Sequence, residues 1–402
     1  MMSTLIDALL LQMGYNATLV AVGAALLGAA SGITGTFLFL RKRALVSDAV
    51  SHATLPGVCV AFLILVGLGG DGRNLAALLL GSALSAGLGL WCMNWLTRNT
   101  RLAEDAAIGA VLSVFFGFGI VLLTVIQTLG VGRQAGLEGF LLGSTAGMLY
   151  ADALVIATGG AAVLILILLA RRPMTMVAFD PEYAAARGLP VGRIDMLMMG
   201  LVMAVTVVGL KVVGLILIVA LLIIPPVTAR FWTERADQVV ILSGVLGAVA
   251  AYLGAALSAS APNLPTGPII VLMSFALFAL SLLIAPNRGV LAAVRRHRRF
   301  QKRVHLRQGL LALAQDQIIY EPLTLRLLAQ SGFARADGVA TQSGRRRAAK
   351  ALRDEMRWDI LRRDQAQEAA AALYDGLREI ETVLTPDQIA AIDRKIGSPR
   401  EV

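Results

Sequence analysis

The chain has 402 residues, of which 57% are hydrophobic and 15% charged, with a mean hydropathy of +0.74 and a formal net charge of +10. That balance excludes a soluble domain of this size and points to a polytopic membrane protein. The charge is uneven: residues 1–287 carry 14 Lys+Arg against 12 Asp+Glu, and residues 288–402 carry 22 against 14. The positive excess therefore sits mainly in a C-terminal tail, which suits contact with anionic lipid, nucleic acid or an acidic partner. The two cysteines, Cys59 and Cys92, lie in apolar runs, so no disulfide framework or CxxC site is expected.

In chain order, Met1–Gly14 lacks the basic start of a cleavable signal and reads as an amphipathic lead-in helix. Apolar runs of about 20 residues then mark spanning helices. The candidates are Ala17–Leu40, Ala53–Leu68, Leu75–Leu96, Ala106–Gln127, Ala151–Ala170, Ile194–Leu210, Val213–Phe231, Val239–Leu257 and Ile269–Ile284. The count is eight or nine, because residues 194–231 are apolar almost throughout. Leu137–Met148 is too short to span and reads as a re-entrant or interfacial piece. Basic clusters at Arg41–Arg43, Arg98/Arg101, Arg171 to Arg193, Arg230/Arg235 and from Arg288 onward alternate with poorer loops at Gly69–Asn74, Gly130–Gly136 and Ser258–Gly267. Positive charge stays inside, so the N-terminus is expected outside and the C-terminus in the cytoplasm. Lys211 breaks the alternation and reads as a snorkelling side chain. Glycines 28, 32 and 35 in the first span, and 81, 87 and 89 in the third, favour close helix packing.

The stretch Arg41–Gly57 carries the chemistry. Three cations end the first span, and Asp48, Ser51 and His52 lead into the second. Asp48 and His52 are four residues apart, hence on one face of a helix. A carboxylate and an imidazole so placed suit a divalent transition ion. Spacing alone fits equally well a hydrogen-bonded pair that caps the helix. Cys59, seven residues further, is either a soft third ligand or, as buried cysteine usually is, a small hydrophobe.

The run Ser-Asp-Ala-Val-Ser-His-Ala-Thr-Leu-Pro-Gly from Ser47 to Gly57 resembles the signature of the permeases of zinc, manganese and iron ABC importers. That signature typically reads Gly-Asp-Ala-Leu-Ser-His-Ala, an apolar residue, then Leu-Pro-Gly. Ser47 stands where glycine is usual. Val213–Ala229 resembles a second family segment, with Pro225-Pro226 where Pro-Ala is usual. The resemblance covers residues 15–287. It implies an all-α membrane permease in which Asp48 and His52 contact the transported ion. It also implies a second permease subunit, identical or paralogous, two ABC ATPase subunits below and an extracytoplasmic metal-binding protein. Pro181–Arg187 reads on its own as a short surface helix: Asp180 caps it, Pro181 takes its first position, and Gly188 with Pro190 stops it. By resemblance it is the helix that couples to the ATPase, through Asp180, Glu182, Tyr183, Ala184, Ala185 and Gly188. None of the five lysines is preceded by glycine, so no Walker A loop is present and ATP hydrolysis belongs to another polypeptide.

The expected division is a permease domain 1–287, a basic juxtamembrane linker 288–303 and a small helical cytoplasmic domain 304–402. In the tail, Leu306 to Leu313, Leu323–Gln330, Arg345–Arg357 and Gln365–Leu384 read as helices, and Thr385-Pro386 starts a last one. Thr324–Gly332 loosely resembles the start of a helix-turn-helix, as in metal-dependent repressors of the diphtheria-toxin repressor type. Arg345–Arg347, Lys350 and Arg353 then read as phosphate contacts or, more often for such runs, as a solvated face, so nucleic acid is disfavoured as a partner. The expected function is the membrane subunit of an ATP-driven importer of manganese, zinc or iron, with no permanently bound cofactor. The alternatives are a proton-coupled metal transporter, with Asp48 and His52 as a relay, and a membrane-anchored DNA-binding regulator.

Overall fold

Each long apolar run becomes a helix, since backbone polar groups in a bilayer are satisfied only within the segment that carries them. The computed structural model describes residues 2–12, 14–70, 74–129, 150–261, 264–363 and 368–397. Their backbone contacts divide them into two units, Met1–Val290 and Leu291–Val402.

The first unit contains α1 (Met2–Leu9), α2 (Tyr15–Leu40), α3 (Leu45–Gly67), α4 (Leu75–Asn99), α5 (Glu104–Leu129), α6 (Tyr150–Phe179), α7 (Pro181–Ala186), α8 (Val191–Arg230), α9 (Ala236–Ala259) and α10 (Thr266–Ile284). Among the described residues, eight helical segments are long and apolar enough to cross a membrane. They fall in α2 to α6, the first half of α8, α9 and α10; Leu217–Arg230 is shorter. The chain is therefore an all-α polytopic membrane protein. The expected piece Leu137–Met148 and the side chain of Lys211 lie outside the described residues.

The apolar stretch that resisted division folds back on itself. Gly214 leaves helical geometry at φ 78°, ψ 171°. A Cβ added to Gly209 would sit 2.5 Å from Ile218 Cδ1, nine residues on. A straight helix would set those residues about 13 Å apart. Glycine fits there because φ near +78° costs other residues steric strain. Pro225 and Pro226 remain inside the shorter arm.

Small residues set the packing around α2. A Cβ on Gly28 would lie 2.3 Å from Gly247 O, on Gly32 2.2 Å from Ser243 O, and on Gly35 1.8 Å from Leu222 O. So α2 meets α9 and the second arm of α8 backbone to backbone, which dispersion rewards where no hydrophobic effect acts. Gly57 and Gly81 bring α3 and α4 together in the same way. The lead-in helix α1 is tied down where Tyr252 Oη donates to Leu9 O at 2.6 Å.

The second unit holds α11 (Val290–Ala314, crossing the boundary by one residue), α12 (Pro322–Gln330), α13 (Gln342–Arg363), the single turn α14 (Glu368–Ala371) and α15 (Pro386–Gly397). The basic stretch expected as a linker is thus helical and continuous with the first tail helix. Of the helix expected over Gln365–Leu384, residues 365–367 lie outside the described residues, and beyond Ala371 no long helix forms. Instead Asp375 Oδ1 accepts from the amides of Leu377 and Arg378, and Gly376 takes φ +75°. An Asp-Gly pair competes with helix by this local hydrogen bonding. A turn of 3₁₀ helix, Ile380–Thr382, follows. Thr385 and Gln388 then exchange hydrogen bonds as a capping box for α15.

Candidate ion-contact site

Asp48 lies in the first turn of α3, where the helix dipole favours a carboxylate, and His52 lies one turn on. His52 Nε2 is 3.3 Å from Asp48 Oδ1. The His52 side chain is 19% exposed and that of Asp48 36%. Phe116 of α5 meets the imidazole edge-on, with ring centroids 4.7 Å apart. Behind the pair, Ser51 Oγ donates to Ser47 O at 2.8 Å and Ser47 Oγ to Ala44 O at 2.7 Å. Both serines are fully buried, so the serine at 47 satisfies its hydroxyl locally and leaves the Asp48–His52 face untouched.

The geometry of the pair is compatible with a weak hydrogen bond and with a shared divalent ion. The separation of 3.3 Å is long for N–H···O. An ion about 2.0–2.1 Å from each atom, at a near-tetrahedral angle, sets them about 3.3 Å apart. His52 Nδ1 is buried with no hydrogen-bond partner among the described residues.

Cys59 does not join them. Its thiol is fully buried and donates to Gly119 O of α5 at 3.8 Å. Among the described residues no three His, Cys, Asp or Glu side chains gather as a metal cluster. Beyond Pro56, α3, α4 and α5 enclose a groove of about 680 Å³, lined by side chains such as Val60, Leu84 and Phe118. Its lining is apolar apart from Ser85, so it offers lipid or a helix a surface rather than an ion a ligand.

At the start of α3, the cations that end α2 meet carboxylates remote in sequence. Arg41 Nη2 lies 3.1 Å from Asp195 Oδ1, and Arg43 Nη1 2.5 Å from Asp195 Oδ2. Arg43 also pairs with Glu104 of α5, and Arg41 Nη1 donates to Val177 O of α6 at 3.2 Å. Sequence reading assigned these arginines to membrane orientation and missed Asp195 of α8. The node ties the α2–α3 turn, α5, α6 and α8 together, next to α7.

In α7 the expected caps form. Asp180 Oδ1 accepts from Tyr183 N at 2.9 Å, and Pro181 takes the first helical position. At the other end Leu189 N donates to Ala184 O at 3.1 Å and Gly188 N to Ala185 O at 2.9 Å, with Gly188 at φ +81°. This is the Schellman pattern, and it ends the helix at Ala186 with Arg187 as cap. Ala184 is fully buried in the main core, whereas Glu182, Tyr183 and Ala185 are exposed. Ala184 is thus an anchor, and its neighbours form the presented face.

Residues 14–285 match the model of the ABC 3 transport family. The chain is 40% identical over 311 residues to the manganese transport system membrane protein MntC of Bacillus subtilis, covering 77% of this chain and 70% of that one. It is 39% identical over 285 residues to the zinc transport system membrane protein TroC of Treponema pallidum, covering 71% and 94%. Among solved structures, PsaBC from Streptococcus pneumoniae in complex with Fab aligns with a TM-score of 0.61 and 31% identity, over 72% of this chain and 98% of that one. The family match spans well over half the chain, the described fold is polytopic and all-α, and the motif around Asp48 and His52 lies within the matched region. The chain belongs to the ABC 3 transport family, the metal-ion ABC permeases.

Proposed function

We propose that the chain is the membrane permease of an ATP-driven importer of manganese or zinc, and that Asp48 and His52 contact the ion in transit. The relatives carry these two metals in their names; iron, part of the sequence expectation, has no such support. The observation that carries the reading is the half-buried His52–Asp48 pair, 3.3 Å apart on one face of α3. Two ligands hold a divalent ion loosely, which suits a path that must release its cargo. A second permease copy, identical or paralogous, would add its own pair and complete the coordination.

The remaining assignments follow the same logic. ATP hydrolysis falls to a separate ABC ATPase, which the exposed face of α7 around Glu182, Tyr183 and Ala185 would meet. An extracytoplasmic metal-binding protein delivers the ion on the opposite side. The C-terminus is then cytoplasmic, as the distribution of arginine suggests. For residues 304–402 a protein-contact role is favoured over DNA reading. Arg347 pairs with Glu379 at 2.9 Å and Lys350 with Glu381 at 3.1 Å, so two of the cations suited to phosphate are already engaged.

Uptake of radioactive manganese and zinc by cells holding equal amounts of permease tests the ion contact. Asp48→Asn and His52→Gln are expected to lower uptake at least tenfold while assembly with the ATPase persists. Unimpaired uptake by either variant would overturn the assignment. Uptake that continues without the ATPase gene would favour the proton-coupled reading.

A further inference from the structure

We propose that the N-terminal half of α11, residues 291–303, is a binding surface for the headgroups of an anionic phospholipid leaflet. Six cations occur in nine residues there: Arg295, Arg296, Arg298, Arg299, Lys302 and Arg303. From Arg288 to Gln315 the chain contains no Asp or Glu. All six side chains are exposed, and among the described residues none of them forms an ion pair. That sets them apart from Arg307, Arg347, Lys350 and Arg357 further along the tail, each of which holds a carboxylate.

The arrangement is directional as well as basic. At 100° per residue, Leu291, Val294, Arg295, Arg298, Arg299 and Lys302 fall within one arc of about 140°. The end of this stripe nearest the last span is apolar: Leu291 is 47% exposed and Val294 42%. The end further away is cationic. Only residues 285–289 separate α10 from α11. At about 3.5 Å per residue that linker reaches no more than roughly 20 Å, so chain connectivity alone keeps the start of the stripe within that reach of the end of the last span. A helix with apolar side chains at the membrane edge and a cationic face beyond them matches a surface with acyl chains below and phosphates above. A role confined to orienting the chain during insertion needs positive charge but no ordered stripe and no exposed Leu291 or Val294. The match is to lipid phosphate, not to a folded acidic protein, because the stripe repeats one charge along a single helix face, and the groove beside Arg303 is lined by the tail's own Arg307, Asp354 and Glu379. The lipid contact would hold the start of the tail against the leaflet whatever ion the permease carries.

The test uses the full chain in nanodiscs of phosphatidylcholine alone or with 30% phosphatidylglycerol. Hydrogen exchange is followed in peptides covering 291–303. Exchange is expected to be about tenfold slower or more in the anionic discs, the scale set by several cations near a charged surface, and to recover in 0.5 M salt. The variant R295Q/R298Q/R299Q/K302Q is expected to lose the difference while peptides from 342–363 exchange as before, which shows that the tail unit still folds. Equal exchange in both discs overturns the proposal. So does protection that appears only when the ATPase is added, which would make the stripe a protein contact.

Discussion

At the residue scale, glycine identity in α2 matters as much as the ionisable pair. Gly35 approaches Leu222 O so closely that an added Cβ would lie 1.8 Å from it. The neighbour is backbone and has no rotamer to change. Gly35→Ala must therefore move α2 away from α8, at a cost on the order of 1–3 kcal/mol for overpacking a close helix contact. Thermal unfolding of the purified protein in detergent should show it, whereas Gly109→Ala, on an open helix face, should not lower the midpoint. The two positions look alike in sequence, since both are glycines in apolar runs. That Asp48 and His52 share a face of α3 was legible because an ionisable pair at helical spacing stands out against apolar surroundings. Asp195 was not: its arginines lie 152 and 154 residues away, and nothing local marks it as their partner.

At the element scale, the α2–α3 turn is tied to α5, α6 and α8 just ahead of Asp48 and His52. Lys42 takes φ +58°, a left-handed conformation that costs a non-glycine residue about 1–2 kcal/mol. The arginines on either side of it converge on Asp195, which holds that turn in place. Asp195→Asn would leave two half-buried guanidinium groups without their shared carboxylate, at a cost of about 2 kcal/mol or more. The expected signature is mechanical as well as thermodynamic: ATP hydrolysis continues while ion uptake per ATP falls, because the α2–α3 turn is no longer clamped to α8. A parallel loss of both activities would instead mean general unfolding. On α7, Glu182→Lys should weaken co-purification of the ATPase. Ala184→Glu should lower stability, because Ala184 is buried. The α7 boundaries were legible from Asp180, Pro181 and Gly188, since caps act within a few residues. The break near Gly214 was legible only as the boundary between the candidate spans Ile194–Leu210 and Val213–Phe231, where Gly209, Lys211 and Gly214 interrupt an otherwise apolar run.

At the scale of the whole molecule, the tail has what a separately folding unit needs. Leu310, Leu328, Ala348 and Ala351 form one buried cluster, and Trp358, Leu361, Ile380, Leu384 and Ile392 another. Trp358 is fully buried and donates Nε1–H to Arg378 O at 3.2 Å. Arg357 joins Asp354 on its own helix to Asp393 on α15. Residues 291–402 expressed alone should therefore unfold cooperatively, and Trp358→Ala should cost about 3–5 kcal/mol. A fragment with no cooperative transition would refute the unit. Binding of duplex DNA at physiological salt should be absent, and tight sequence-specific binding would recast the tail as a regulator.

Its alkaline limit is also set. Burial and the hydrogen bond to Glu355 push the Tyr374 hydroxyl up to about 12. An unfolded tyrosine ionises near about 10. The group is raised in the folded state, so its stabilisation is complete below about 10 and is lost as pH rises through about 12. Lys350, raised by its hydrogen bond to Glu381, acts in the same direction. In acid two groups oppose each other: the hydrogen bond from Arg357 holds Asp393 low, whereas burial raises Asp354. Asp393 loses its contribution as pH falls, and Asp354 offsets part of that loss. The alkaline limb is therefore the cleaner test. Denaturant midpoints of the fragment between pH 9 and 12 should fall steeply, and Tyr374→Phe should flatten the fall because no hydroxyl remains to ionise. An unchanged slope in Tyr374→Phe would assign the alkaline loss to Lys350 and its carboxylates.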